Sequence, residues 1–261
     1  GSIQIDVDSS SLGIQLLAYN TSNSLVADFR VGFSTALATN KWHHCVITFD
    51  LSDTSKRDIR INGVAQSVTY STYTDGTINW ASNAFKIAES ASSYFDGGIS
   101  DFWFDDSYID LSSSNPFYDT STSKPKNLGG DGSTPTGSSP LVYLPLRANN
   151  PDINKGTGGN FSGSSVPFIG ARGPSEFWGE SAEFDGSSQY LNRTTALSGA
   201  SDGKILTFAV AFNADSIGNN VFRISDDGGD GTGLNLSGGD IAVFGQASDT
   251  ANVLWMRKGT G

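Results

Sequence analysis

The chain has 261 residues, of which 37% are apolar and 16% are charged. It carries 16 basic and 27 acidic residues, so its formal net charge is −11 at neutral pH. A surface of that sign repels nucleic acid and anionic lipid, and we expect neither to be a partner. No apolar run approaches the ~20 residues that a membrane-spanning helix needs, so no membrane insertion is expected. Because Cys45 is the single cysteine, no disulfide can form within the chain.

The acidic residues are divided unevenly between aspartate and glutamate. Glutamate occurs only at positions 89, 176, 180 and 183, and the remaining carboxylates are aspartates. Aspartate favours turns because its short side chain caps nearby backbone groups, whereas glutamate favours helices. Together with 31 glycines, this composition predicts an all-β protein with many loops.

Alternation of apolar and polar residues between turn signals predicts strands along the whole chain. The first two fall at 14–19 and 25–31. Residues 42–49 form a nearly continuous apolar run, which predicts a strand buried on both faces. The following strand ends at Asn62-Gly63, a strong signal for a tight turn. Further strands are predicted at 64–70, 84–88, 97–105, 181–191, 205–212, 221–224, 233–236, 241–244 and 253–256.

The composition changes between residues 114 and 175. Stretches rich in Ser, Gly and Pro surround one short apolar run, Leu141-Val142-Tyr143-Leu144. We expect an ordered connector or a small appended element here, and not a second full core.

Two sets of motifs have the spacing of a known sandwich, but in reversed order. The second half of a laminin-G-like, concanavalin A-like jelly-roll domain resembles three motifs of this chain: Trp42-His43-His44, the Asn62-Gly63 turn and Phe95-Asp96-Gly97-Gly98-Ile99. Phe184-Asp185-Gly186, followed by Tyr190-Leu191, resembles the opening of its first half. The resemblance implies an antiparallel jelly-roll β-sandwich. Its second half would occupy residues 1–113 and its first half residues 176–261, joined by the Gly/Ser/Pro-rich connector at 114–175.

The reversed order has three physical explanations. The chain is a circular permutant, a slice through a tandem array, or a sandwich completed by a neighbouring subunit. Each half must find its complement, because unpaired sheet edges aggregate. We expect the two halves of this chain to close one sandwich. A similarity between 14–32 and 241–259, two strands around a polar turn, favours the slice instead.

A second resemblance covers the connector. Residues 124–137 (KPKNLGGDGSTPTG) and 154–161 (NKGTGGNF) are similar to the segment that follows laminin-G-like modules in structural proteins of tailed phages and prophages. This resemblance implies a non-enzymatic virion component, such as a fibre, tip or decoration subunit, whose sandwich serves subunit contact or attachment to host-surface glycans. It implies a homo-oligomer in an extracellular virion, with other virion subunits and host-surface glycans as partners. The alternative is a carbohydrate-binding, lectin-like module of a bacterial or prophage protein.

Enzymatic activity would require a catalytic constellation that the chain does not offer. Glycoside hydrolysis needs two carboxylates about 5–10 Å apart. Glu183 and Asp185 share one face of a predicted strand, but no glutamate follows at the offset used by glucanases of this fold. His43 and His44 leave opposite faces of their strand, so they cannot share a metal or act as a joint acid and base. We therefore expect no enzyme, and a glycan depolymerase is only the third alternative.

Calcium is the metal that the composition favours, since hard oxygen ligands abound, and no cofactor is required. The candidate ligands are Asp226, Asp227 and Asp230 on a Gly-rich loop. A plain Gly-Asp turn is the alternative reading of that loop. Asp105-Asp106 and Asp131 are weaker candidates.

Glycan binding needs exposed aromatic rings with polar groups near them. Trp80, Trp178 and Trp255 lie next to polar, loop-like sequence, and Tyr73 lies near the first of them. These four are the candidate glycan-binding residues, although an exposed aromatic residue also suits a subunit interface. Two other tryptophans, Trp42 and Trp103, lie in strand patterns and are expected in the core.

Overall fold

The structure is a computed structural model that describes residues 3–8, 13–31, 41–78, 80, 84–90, 93–146, 151–163, 168–170, 181–215, 220–225, 233–237 and 240–244. Those residues form strands, turns and loops, and none of them lies in a helix that could span a membrane. The described strands, in chain order, are β1 (Ile3–Asp8), β2 (Gly13–Tyr19), β3 (Leu25–Val31), β4 (Trp42–Asp50), β5 (Arg57–Ile61), β6 (Val64–Ala65), β7 (Val68–Tyr73), β8 (Ala84–Ile87), β9 (Glu89–Ser90), β10 (Ser93–Tyr94), β11 (Asp96–Asp105), β12 (Tyr118–Asp119), β13 (Lys124–Pro125), β14 (Val142–Leu144), β15 (Ser162–Gly163), β16 (Phe168–Gly170), β17 (Ser181–Asp185), β18 (Leu191–Arg193), β19 (Ile205–Ala214), β20 (Asn220–Ser225), β21 (Gly233–Ser237) and β22 (Asp240–Phe244).

Two eight-stranded antiparallel sheets carry the fold. The β1 sheet has the order β15-β18-β8-β20-β1-β2-β3-β7. The β4 sheet has the order β16-β17-β11-β19-β4-β5-β6, with β14 also paired to β11. The two sheets share one core, in which Phe29 packs on Phe49 with ring centroids 5.8 Å apart. The predicted all-β, antiparallel sandwich is confirmed.

Strands from the two ends of the chain alternate within both sheets. In the β4 sheet, β19 lies between β4 and β11. In the β1 sheet, β20 lies between β1 and β8. The two parts of the chain therefore close one sandwich, as expected. The sequence similarity between 14–32 and 241–259 has no structural counterpart to compare, because residues 245–259 lie outside the described part.

Side chains of the β4 sheet point alternately into two different apolar clusters. On β4, Cys45 and Ile47 face the β1 sheet, whereas Val46 faces the opposite side. The same alternation places Phe102 and Trp103 of β11 in different clusters. This sheet is therefore buried on both faces, which confirms the prediction made from the apolar run at 42–49.

The outer face of the β4 sheet is covered by the segment that follows β11. The indole Nε1 of Trp103 donates to the carbonyl oxygen of Gly132 at 2.9 Å, and its ring packs edge-on against Phe117. Gly132 has a φ of 79° and lies against Tyr143, where an added Cβ would come within 2.7 Å of the ring. The described part of the connector is thus an ordered layer that shares a small apolar cluster with the outer face of the β4 sheet.

Asn154 holds the later part of this layer in place. Its Oδ1 atom accepts the backbone N–H groups of Tyr143 at 2.8 Å and Gly156 at 2.9 Å. Its Nδ2 atom donates to the carbonyl oxygens of Leu141 at 2.9 Å and Gly159 at 3.1 Å. The residue is only 8% exposed, so these bonds replace water for four backbone groups at once.

Replacing Asn154 by Leu should lower the free energy of unfolding by about 3 kcal/mol, because it leaves buried backbone groups without partners. The matched control is Asn127→Ala, which removes one exposed hydrogen bond to the Gly129 amide and should change stability by less than about 1 kcal/mol. Urea unfolding followed by tryptophan fluorescence measures both. Equal losses in the two variants would contradict the role given to Asn154.

Candidate functional site

A groove of about 290 Å³ lies where the connector layer meets the outer face of the β4 sheet. Its exposed rim carries the hydroxyl groups of the serines at 112–114 and of Thr120. Arg60, Asp119 and Lys126 add charged groups. Three buried residues complete the lining: Leu111, Asn115 and Tyr118.

Tyr118 is held from beneath by the β5–β6 turn and by β4. It is 7% exposed, and its ring lies 5.5 Å from the ring of His44. Gly63 approaches the same tyrosine so closely that a Cβ would come within 2.4 Å of it, and its φ is 79°. The Oδ1 atom of Asn62 accepts the N–H of His44 at 2.8 Å. The tight turn predicted at Asn62-Gly63 is therefore confirmed, and it sets the position of one groove residue.

Asn115 has an unused hydrogen-bond donor. Its Oδ1 atom accepts the N–H of Phe117 at 3.0 Å, which fixes the orientation of the amide. The backbone carbonyl oxygen of Asn115 accepts a hydrogen bond from Lys126 Nζ at 2.9 Å. The Nδ2 atom is buried and has no hydrogen-bond partner, in a residue that is 7% exposed. A buried amide without a partner costs about 1–3 kcal/mol, and an acceptor oxygen of a ligand would recover that loss.

The charges of the groove are largely compensated. Arg60 Nε donates to Asp58 Oδ2 at 2.9 Å. Asp119 accepts hydrogen bonds from the hydroxyl and the N–H of Ser121, and these lower its pKa, so it stays ionised in the groove that Arg60 and Lys126 also line. Hydroxyls, an amide and paired charges suit a neutral, polyhydroxylated ligand better than a free ion.

One of the predicted glycan-binding residues lies in the core. Trp80 is 0% exposed and packs edge-on against Phe104, with ring centroids 5.6 Å apart. The expectation that its ring is exposed is wrong. The neighbouring Ile78 forms bridges to Asn20 and Gly203, and these long-range contacts bury a segment that looks like a polar loop in sequence. Trp178 and Trp255 lie outside the described residues.

Tyr73, Trp42 and Trp103 are all at least partly buried. Tyr73 is half-buried, and its hydroxyl donates to the carbonyl oxygen of Asp50 at 2.8 Å. The guanidinium of Arg57 lies 4.7 Å from its ring centroid and 3.7 Å from that of Tyr70. Tyr73 thus joins the edge strand β7 of one sheet to the β4–β5 turn of the other. Of the tryptophans expected in the core, Trp103 is fully buried and Trp42 is half-buried.

The calcium candidates fall into two groups. Asp226, Asp227 and Asp230 lie outside the described residues. Asp131 accepts hydrogen bonds from Ser133 and Ser139, which lower its pKa to about 2. In the part of the chain that the structure describes, no group of three or more His, Cys, Asp or Glu residues could hold a metal ion.

The two carboxylates considered for glycoside hydrolysis, Glu183 and Asp185, accept hydrogen bonds from groups close to them in sequence. Asp185 Oδ1 accepts the three N–H groups of residues 187–189 at 2.8–3.0 Å. Burial raises the pKa of Asp185, but these hydrogen bonds outweigh it and hold the pKa well below its usual range. Glu183 Oε1 accepts the hydroxyl of Ser181 at 2.9 Å.

Among the comparisons with known proteins, one family model matches the first part of the chain. Residues 1–108 match the family model Laminin_G_3, described as the concanavalin A-like lectin/glucanases superfamily. The two packed antiparallel sheets are consistent with the β-sandwich of that superfamily. No curated protein and no solved structure gives a significant match. The family match ends before most of the groove and before the segment 124–161.

The histidine beneath Tyr118 makes stability depend on pH. Burial lowers the pKa of His44 from 6.5 to about 3. The unfolded chain therefore binds a proton below about pH 6.5 that the folded chain does not bind. The contribution of neutral His44 to the free energy of unfolding is fully present above pH 6.5. It falls by up to about 1.4 kcal/mol per pH unit as the pH drops towards 3.

Urea unfolding at several pH values between about 6.5 and 4.5 tests this dependence. His44→Gln should lose this part of the pH slope, although carboxylate titration remains in both proteins. The matched control, His43→Gln, changes the neighbouring residue on the opposite face of β4 and should keep the slope of the natural chain. Identical slopes for His44→Gln and the natural chain would show that His44 is not buried in its neutral form.

Proposed function

We propose that this chain is a non-enzymatic module that binds neutral glycans in the groove beside β5 and the β12–β13 hairpin. The observation that carries the proposal is the unpartnered Nδ2 atom of Asn115 in a hydroxyl-lined groove. The match of residues 1–108 to the lectin/glucanase superfamily supports the same ligand class.

In this proposal each part of the groove has a task. Asn115 Nδ2 donates to a ring or hydroxyl oxygen of the sugar. The hydroxyls of Thr120 and of the serines at 112–114 both donate and accept, as sugar hydroxyls do. Leu111 and the edge of Tyr118 provide apolar surface for the C–H groups of the sugar. The Asn62-Gly63 turn and Asn115 hold this arrangement before the ligand arrives, which lowers the entropic cost of binding.

The carboxylate geometry supports binding without hydrolysis. A retaining or inverting glycosidase needs two carboxyl groups free to meet the glycosidic bond. Asp185 is occupied by three backbone N–H groups, and Glu183 by Ser181. We therefore propose that bound glycan leaves unchanged.

A second candidate concerns where the module works. The similarity of 124–137 and 154–161 to phage structural proteins supports a subunit of an extracellular virion, in a fibre, tip or decoration position. The ordered packing of this segment by Asn154 and Trp103 supports a structural task for it. Among described strands, β7 ends the β1 sheet and pairs only with β3, so its outer edge is suited to contact between subunits.

Glycan binding is tested by blocking the groove. Ser113→Trp places a large side chain on an exposed lining position and should abolish binding in the groove. Asn115→Asp keeps the acceptor for Phe117 but removes the Nδ2 donor, and should weaken binding about tenfold. A glycan array with the natural chain identifies a ligand, and titration calorimetry then compares the variants. Reducing-end assays on the same glycan should detect no cleavage.

The matched control is Thr54→Tyr, which enlarges an exposed residue of the β4–β5 loop, away from the groove. It should bind as the natural chain does, and thermal unfolding of all variants checks that they fold. Absence of binding to every glycan on the array, or undiminished binding by Ser113→Trp, would refute the groove as a glycan site.

The virion candidate predicts a homo-oligomer. Light scattering during size-exclusion chromatography should give a mass that is a multiple of 27.5 kDa. Thr69→Pro on the outer strand β7 should reduce that mass if β7 is the contact, since proline blocks edge pairing. A folded, strictly monomeric chain at high concentration would count against this candidate without affecting the groove.

A further inference from the structure

A second cluster of aromatic and polar side chains lies on the opposite side of the sandwich. It consists of Lys86 of β8, Glu89 of β9, Tyr94 of β10 and Tyr190, which precedes β18. The neighbours of Lys86 on its strand, Phe85 and Ile87, are buried in the core, so Lys86 points outward from the β1 sheet. The groove lies on the outer side of the β4 sheet, and the two places are therefore separate.

Contacts between these side chains make them one cluster. The rings of Tyr94 and Tyr190 have centroids 6.0 Å apart at an interplanar angle of 33°. Lys86 Nζ lies 5.9 Å from the Tyr190 centroid and 2.9 Å from Glu89 Oε1. Glu89 and Tyr94 are directly opposite each other in the β9–β10 pair, so their side chains share a face.

Two features of the backbone hold the cluster. Asp185 Oδ1 accepts the N–H of Gln189 at 3.0 Å in the turn that it caps. This bond fixes the residue before Tyr190. Ala88 has a φ of 66°, and its carbonyl oxygen accepts the N–H of Phe95 at 2.9 Å. This strained residue closes the β9–β10 pair next to Glu89. Strain of this kind persists where the surrounding structure demands it, and it is frequent at ligand sites.

Glu89 has acceptor capacity that the protein does not use. The residue is 7% exposed, and its Oε2 atom is buried without a hydrogen-bond partner. Leaving such an oxygen unpaired is costly, more so when it carries charge. A ligand that donates a hydrogen bond to Glu89 would remove that cost.

The charges of the cluster select the kind of ligand. Lys86 disfavours a cation, and Glu89 disfavours an anion. A hydroxyl group can donate to Glu89 and accept from Lys86 at the same time. The half-buried faces of Tyr94 and Tyr190 suit the C–H side of a sugar ring.

We propose that Lys86, Glu89, Tyr94 and Tyr190 form a second saccharide site, selective for a neutral pyranose. This inference rests on the proposed function, because it assigns a second site for the same class of ligand. Two sites on opposite faces allow one chain to bridge two glycan strands, which raises avidity without a new contact.

The test uses the groove-blocked variant Ser113→Trp, so that binding at the second site is measured alone. The probes are the methyl glycosides of glucose, galactose, mannose and N-acetylglucosamine, each added singly to protein with ¹³C-labelled tyrosine. At least one probe should shift the ring signals of Tyr94 and Tyr190, which are assigned with the Tyr94→Phe and Tyr190→Phe variants.

Further variants in the same background define the contacts. Tyr190→Ala should weaken the probe's affinity about five- to tenfold, because it removes a stacking ring. Tyr190→Phe is the matched control and should bind within about twofold of its parent, since the ring face is kept. Glu89→Gln should weaken binding several-fold, because a charged acceptor becomes a neutral one.

The outcomes separate the two proposals. Unmoved tyrosine signals with every probe, or equal binding by Tyr190→Ala, would overturn the second site even if the groove binds glycans. Moved tyrosine signals together with undiminished glycan binding by Ser113→Trp would overturn the groove and support the second site. If Tyr190→Ala does not fold, Tyr94→Ala provides the same test from the other ring.

Discussion

Burial of the β4 sheet on both faces is the constraint on which the rest of the structure depends. Alternate residues of β4, β11 and β19 enter two separate apolar clusters. A second layer must therefore cover the face that the β1 sheet does not reach. Where polar groups occur on that face they are paired, as for Thr48 and Thr207, whose hydroxyls lie 2.9 Å apart and both accept the N–H of Ile109.

The covering layer explains both the glycine content of the connector and the position of the groove. A chain without regular structure can lie flat on a sheet only where close approach and positive φ are tolerated, as at Gly132. Its buried backbone groups need partners, and Asn154 supplies several of them. The groove forms at the margin of this layer, and most of its lining follows residue 108, where the family match ends. The proposed site is therefore built by the cover and not by the matched sandwich strands alone.

Both proposed sites are locally neutral in a strongly acidic chain. Arg60 is paired with Asp58 in the groove, and Lys86 with Glu89 in the second cluster. The net charge of −11 disfavours the approach of anionic polymers over long distances. Paired charges at short range still offer donors and acceptors, and these are what a neutral sugar requires. The two scales of electrostatics thus favour the same class of ligand.

Much of the fold could be predicted because its signals are local. The strand pair around residues 20–24, the doubly buried strand at 42–49 and the Asn62-Gly63 turn were all readable from nearest neighbours in sequence. The groove could not be found in this way. Most of its lining lies between residues 111 and 126, largely in the connector, where the sequence predicted no strand, and only the fold brings Arg60 beside it.

The sequence by itself determined much of the strand pattern, the double burial of the strand at 42–49 and the negative charge, because alternation and composition act along the chain. Only the tertiary structure decided which side chains remain accessible. Trp80 resembles a loop residue in sequence, yet long-range bridges bury it. Tyr94 and Tyr190, distant in sequence, become neighbours on the outside of the β1 sheet. Accessibility depends on what the rest of the chain places above a residue, and a local pattern does not contain that information.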